Sequence, residues 1–247
     1  MSKANKKETS ATSSGQGKKL QSKEQISTEE LVYEKNKKYS PDEAIELCRK
    51  MSKVKFDASV EVHFRLGINP KKGDQQIRSA VTLPHGTGKD IKVAAFVNTD
   101  KEKEVRKAGA DLVGGEDLIA QIKKSEKTDF DVAVAEPAIM KNLSQIAKIL
   151  GTRGLMPSPK NETVTDKPAE TVAELKKGKI SFKNDNTANV HVAIGKISFD
   201  KEKLKENYNT FLEALKKAKP AGVKGTYIKN ITLSSTMGPG IKVSIDQ

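Results

Sequence analysis

The stretch "IKVAAFVNTDKEKEVRKAGADLVGG", Ile91 to Gly115, decides the fold. "IKVAAFV" lacks the polar alternation of a half-buried strand and reads as a buried one. "DKEKEVRKAGA" follows as a helix and "DLVGG" as a short second strand. Downstream, "EDLIAQIKKSE" continues as a helix, "FDVAVAE" as a strand and "PAIMKNLSQIAKIL" as a final helix. Buried strands alternating with helices make a parallel α/β unit.

The flanks are written in another style. Upstream, "SPDEAIELCRKM" opens a helix: Ser40 stands at the N-cap, Pro41 at the first helical position, and Asp42 and Glu43 at the positive end. In "KFDASVEVHFRLGI", Ala58, Val60, Val62, Phe64, Leu66 and Ile68 point one way. Asp57, Ser59, Glu61, His63 and Arg65 point the other, so this is a long strand with one polar face. "NPKKGD" is a turn and "QIRSAVTLP" a further strand.

After about Lys177 that style returns. "KISFKNDNTANVHVAIG" predicts a hairpin turning at Asn184 to Asn186. Asp200 is placed to cap a helix whose apolar face is Leu204, Tyr208, Phe211, Leu212 and Leu215. "YIKNITLSSTMGPGIKVSI" closes as strand, turn, strand. The chain therefore reads as α/β with two nested domains. A split α+β domain is formed by residues 29–86 and 179–247, and a Rossmann-like parallel α/β domain is inserted over 87–178. The two crossings fall at Gly86, Gly88 and Gly178, which are candidate hinges. Residues 1–28 are too polar to bury a core and read as a disordered basic tail.

Charge sorts with this division. The net charge is +13, which points to an acidic partner such as nucleic acid. The tail is net +4, residues 29–86 are +2, the insert is only +1 and residues 179–247 are +6. The polyanion contact is therefore expected on the split domain. Of 45 basic residues only Arg49, Arg65, Arg78, Arg106 and Arg153 are arginine, a balance suited to reading backbone and shape rather than base edges. No apolar run reaches the ~20 residues of a membrane span. Arginine is absent before Arg49, against an organelle transit peptide.

Catalytic chemistry finds little support. "LPHGTGKD" fails the P-loop pattern at Leu83 and Asp90. No G-x-G-x-x-G follows the first buried strand, so a nucleotide-binding enzyme with a basic accessory domain has a fold but no phosphate fingerprint. His63, His85 and His191 are scattered, without a second ligand at metal spacing. Cys48 is the only cysteine and sits in a helix as a buried thiol. No catalytic residue, metal or cofactor is expected.

Two loops stand out. In "SSTMGPG", Ser234 to Gly240, small hydroxyls and glycines suit either a plain turn or close contact with RNA. In "GLMPSPK", Gly154 to Lys160, two prolines stiffen a loop, with Arg153 just before it and Met156 and Lys160 within it. A secondary surface facing RNA or the domain cleft fits, and so does a purely structural connection.

Seven stretches in order resemble the ribosomal protein L-one family of the large subunit, bacterial type. They are "KFDASVEV", "LPHGTGK", "AGADLVGGEDL", "LGTRGLMPSPK", "ETVT", "LKENYNTFLEALKKAKP" and "STMGPG", and the likeness runs from about Tyr39 to Val243. The resemblance implies the nested architecture above and a non-enzymatic, cytoplasmic, ribosome-bound protein that is monomeric when free. It also implies binding to large-subunit ribosomal RNA of the mobile stalk, help in releasing deacylated tRNA from the exit site, and repression of translation of its own mRNA. By motif it carries RNA contact onto Lys55, Phe56 and Ser59 and onto Thr236, Met237 and Gly238. This sequence departs from the usual pattern at Thr152, Ser158 and Asn161-Glu162, all in or beside the proline-rich loop.

Overall fold

A computed structural model describes residues 33–245. The basic tail expected over residues 1–28 lies outside the described residues. The chain opens with helix α1 (Pro41–Lys50), started by a capping box: the Ser40 hydroxyl accepts from the Glu43 N–H, and the Glu43 carboxylate accepts from the Ser40 N–H. Strand β1 (Ser59–Leu66) follows, with Val60, Val62, Phe64 and Leu66 buried as the alternation requires. Strand β2 (Arg78–Thr82) comes next, then β3 (Val93–Phe96), α2 (Thr99–Lys107), β4 (Leu112–Gly114), α3 (Glu116–Ser125) and β5 (Val132–Ala135).

The inserted sheet is parallel, in the order β4-β3-β5. Every residue of β3 is buried because both faces are covered. Ala94 and Phe96 pack toward α3 and the segment after β5, while Val93, Ala95 and Val97 meet Val105 of α2 and Val172 and Leu175 further on. This bears out the opening stretch.

The segment after β5 departs from expectation. Instead of one helix it runs as a 3-10 turn (Pro137–Ile139), α4 (Met140–Leu143), a second 3-10 turn (Ser144–Ile146) and α5 (Ala147–Thr152). The Ser144 hydroxyl donates back to the Lys141 carbonyl at 2.5 Å, the kind of local bond that competes with the helical ladder. Ile139, Leu143, Ile146 and Leu150 still share one buried face. An additional helix, α6 (Pro168–Lys177), closes the insert and ends at Gly178 in the left-handed conformation, φ +111°.

The expected hairpin is a correction. Strands β6 (Lys179–Lys183) and β7 (Asn189–Lys196) are present, but β6 pairs antiparallel with β2 and β7 with β1. Only an isolated bridge, Asn184 with Val190, joins their ends. Asp185 turns the chain by accepting from the Thr187 and Asn189 N–H groups, and the two strands then diverge.

Helix α7 (Lys201–Lys217) buries Leu204, Tyr208, Phe211 and Leu215, while Leu212 is partly buried at the edge of that face. Asp200 occupies the N-cap position, but its side chain does not cap; it faces Lys203 at 3.5 Å instead. Strands β8 (Ile228–Ser235) and β9 (Ile241–Val243) complete an antiparallel sheet in the order β7-β1-β8-β9. Both chain ends thus build one α+β domain around the parallel insert. The two crossings lie against each other: a Cβ on Gly178 would come within 2.4 Å of the Gly86 Cα.

Candidate nucleic-acid interface

The end of the β1–β8 pair gathers most of the residues singled out in the sequence. Val60 stands opposite Ser235, and the next step of the register brings Ser59 and Thr236 together. The Thr236 N–H donates to the Ser59 carbonyl at 3.0 Å, and the Ser59 N–H donates to Thr236 Oγ1 at 3.2 Å. Lys196 of β7 joins them, its ammonium donating to Ser59 Oγ at 3.0 Å. Lys196 was not anticipated. Only the pairing of β7 with β1 places it there, and the predicted hairpin hid that pairing.

Beyond Thr236 the chain turns sharply. The Gly238 N–H donates to the Ser235 carbonyl at 2.8 Å, which holds Met237 in the left-handed region at φ +65°. L side chains adopt that region at a cost, and such strain collects at functional positions. The Met237 side chain is 87% exposed, and Phe56 is 56% exposed. They are the large hydrophobic side chains left in solvent among the described residues, and both belong to this end of the sheet. Lys55 beside them is exposed. Asp57 pins the Lys55–Phe56 stretch by accepting from the Ser198 N–H at 3.1 Å and from its hydroxyl at 2.8 Å.

Gly238 has a reason internal to the fold. A Cβ there would sit 2.1 Å from Ser235 Oγ, so the glycine is required by its own turn. Ser235 Oγ is itself buried, beside the Cys48 thiol.

The polar face of the same sheet holds a feature that the sequence did not disclose. His63 and His191 stand opposite each other, with their Nδ1 atoms 2.8 Å apart, and His63 Nε2 lies 2.9 Å from Ser234 Oγ. Burial first, and then the neighbouring His191, holds the His63 pKa below the usual imidazole value. Asp185 lies 3.7 Å from His191 Nε2. Burial would raise its pKa, but bonds from Thr187 and Asn189 outweigh that and hold it at about 2. His85 is apart from this group, against Glu206 at 2.6 Å.

The second loop is built differently. Met156 is partly buried against the core of the insert, and Pro157 is buried. The Arg153 guanidinium donates to Thr128 Oγ1 and to the Glu126 carbonyl. Lys160 is exposed. Among the described residues no cluster of three or more His, Cys, Asp or Glu could hold a metal ion. Cys48 is buried, and burial pushes its thiol up to about 11.

The arrangement is a polar sheet end with a strained exposed turn and lysines at its rim. It can grip a polyanion by shape and charge. The profile of the family described as "Ribosomal protein L1p/L10e family" matches residues 48–239. The chain belongs to that family. A protein of Thermosipho africanus strain TCF52B called Large ribosomal subunit protein uL1 is 51% identical over 212 residues, which is 86% of this chain and 91% of the relative. Its counterpart of the same name in Thermosipho melanesiensis strain DSM 12029 is 49% identical over 213 residues, 86% and 92% of the two chains. This L1p/L10e chain shares a family with ribosomal proteins rather than enzymes, which sets aside the nucleotide-binding enzyme.

Proposed function

We propose that this protein is a structural constituent of the large ribosomal subunit, ribosome-bound in the cytoplasm and monomeric when free. In this reading it holds ribosomal RNA of the mobile stalk with Lys55, Phe56, Ser59, Thr236, Met237 and Gly238. The observation that carries it is the meeting of Ser59 with Thr236 under the exposed, strained Met237. RNA stacks on and packs against such apolar side chains, while lysines and backbone N–H groups meet its phosphates.

The same reading assigns the domains. Residues 29–86 and 179–247 form the RNA-holding domain, and residues 87–178 the insert. In support, one hydrophobic cluster draws only on the first set and two others only on the second. Gly86, Gly88 and Gly178 then serve as the hinge, at positive φ of 62°, 70° and 111°. Motion there suits release of deacylated tRNA from the exit site, and the same RNA surface suits repression of the protein's own mRNA. Arg153, Met156 and Lys160 offer at most a secondary contact, since Arg153 and Met156 have partners within the insert.

Ultraviolet cross-linking on purified large subunits tests the assignment. Cross-links to ribosomal RNA are expected at Phe56 and in the Thr236–Gly238 turn. Cross-links confined to residues 153–160 would overturn it.

A further inference from the structure

The proline-rich loop ends in a second strained residue. Glu162 is held at φ +57°, in the left-handed region that L side chains avoid. Its carboxylate lies 2.5 Å from Lys179 Nζ, and Lys179 also meets Glu174 at 2.9 Å. The Lys179 side chain is 10% exposed and Glu162 is 64% exposed. Lys179 is the first residue of β6 and pairs with Thr82 of β2. The 3-10 turn Pro159–Asn161, just before Glu162, lies against β2. A loop of the inserted domain therefore rests on the β2–β6 ribbon of the split domain, at the point where the chain crosses between them.

We propose that Glu162 is a latch: its ion pair with Lys179 holds the insert's loop against the β2–β6 ribbon, and its release lets the domains open. This rests on the hinge reading above. Three features make the contact releasable. Glu174, on α6 of the insert, also pairs with Lys179 across the boundary, but it stands beside the Gly178 hinge, five residues from Lys179, where opening displaces it least, so letting go of Glu162 leaves the buried cation paired. Glu162 is largely in solvent, where salt screens its attraction. The closed loop also carries the left-handed backbone of Glu162 and a buried Asn161 Oδ1 that has no partner among the described residues. The closed state thus holds strain and an unmet acceptor, and away from the hinge the Glu162–Lys179 pair helps to offset them.

The test is a distance distribution in the full chain by double electron–electron resonance, with spin labels on Lys124→Cys and Lys217→Cys. Both positions are exposed, one on each domain, while Cys48 is buried and its thiol raised to about 11, so it resists labelling. In low salt, Glu162→Gln and Glu162→Gly should each raise the wide-distance population about two- to five-fold, as for loss of a partly exposed ion pair. About 1 M salt should do the same to the wild type and little to either variant. Glu162→Gly should melt no lower than the wild type, because glycine relieves the backbone. A wild type that samples wide distances, unchanged by either variant, overturns the latch and leaves the hinge. A rise with glycine alone assigns the effect to backbone strain and also overturns it. One narrow distance in every variant at every salt overturns latch and hinge together.

Discussion

Met237 and Met156 sit in similar sequences, "STMGPG" and "GLMPSP", and the structure treats them oppositely. Met237 is held out in solvent by a turn whose backbone is strained to do so. Met156 lies against the core of the insert, beside a buried proline. Composition cannot separate the two loops, because the difference lies in what stands behind each. The first loop projects from the end of a sheet, where no element covers it. The second crosses a hydrophobic face and fills it. A greasy residue in a stiff loop signals binding only where the fold leaves it without a core to join.

The comparison can be pressed hardest at the glycines. Gly238→Val places a branched side chain against Ser235 Oγ, just after the left-handed Met237. It should cost affinity for a stalk RNA fragment by roughly 100-fold or more, with stability falling by about 1–3 kcal/mol. Gly154 differs: its φ is positive, 72°, and its Cβ would meet open space. Gly154→Val should cost roughly 1–2 kcal/mol of stability by backbone strain alone and leave RNA affinity intact. Parallel melting and filter-binding curves separate the two.

The methionines give the next largest contrast. Met237→Ala should lower RNA affinity by about 1–2 kcal/mol, an ordinary interface truncation, without moving the melting temperature. Met156→Ala should do the reverse, costing about 1–2 kcal/mol of stability for a partly buried side chain. Equal effects of both on RNA binding would make the second loop part of the interface.

Among lysines, Lys55→Ala should reduce the salt dependence of binding by about one phosphate contact. Lys160→Ala should leave that slope unchanged.

The smallest effect is with pH. His63 is held below its ordinary pKa in the folded protein, so its protons bind the unfolded chain more readily. Its contribution to stability is present above the unfolded value near 6.5 and is lost as the pH falls through the lower folded value. The groups facing it are Glu61, His191 and Ser234. Replacing the partner, His191→Gln, should flatten the acid side of the stability profile between about pH 7 and pH 5. An unaltered profile would mean that His191 does not contribute to holding the His63 pKa down.

Much of the fold was legible because it is written in local periodicity. Val60 to Leu66 alternate, Ser40 and Glu43 cap, and β3 reads as covered on both sides. What escaped depended on partners distant in sequence. Lys179–Lys183 looks like the first arm of a hairpin, and nothing within it announces β2, about a hundred residues earlier, as its partner. The helix Pro168–Lys177 was missed because proline, threonine and lysine mask a short apolar stripe of Thr171, Val172 and Leu175. At the site, Ser59 and Thr236 were found by resemblance, and their contact follows from register. Lys196 and the pair His63–His191 follow from register alone, the histidines lying 128 positions apart. Gly238 is singled out in the sequence for the room an RNA backbone would need, and the fold supplies a reason of its own in the Ser235 side chain.

RNA affinity is expected to reside in the domain formed by residues 29–86 and 179–247. This can be tested by joining residues 29–86 to residues 179–247 through a short linker in place of the insert, and by preparing residues 87–178 alone. Each keeps its own hydrophobic clusters whole. Binding of both to a stalk RNA fragment is then measured at one fixed salt concentration. The joined ends, net +8, should retain most of the affinity of the full chain, and the insert, net +1, almost none. Folded joined ends that fail to bind, with an insert that does, would contradict the account.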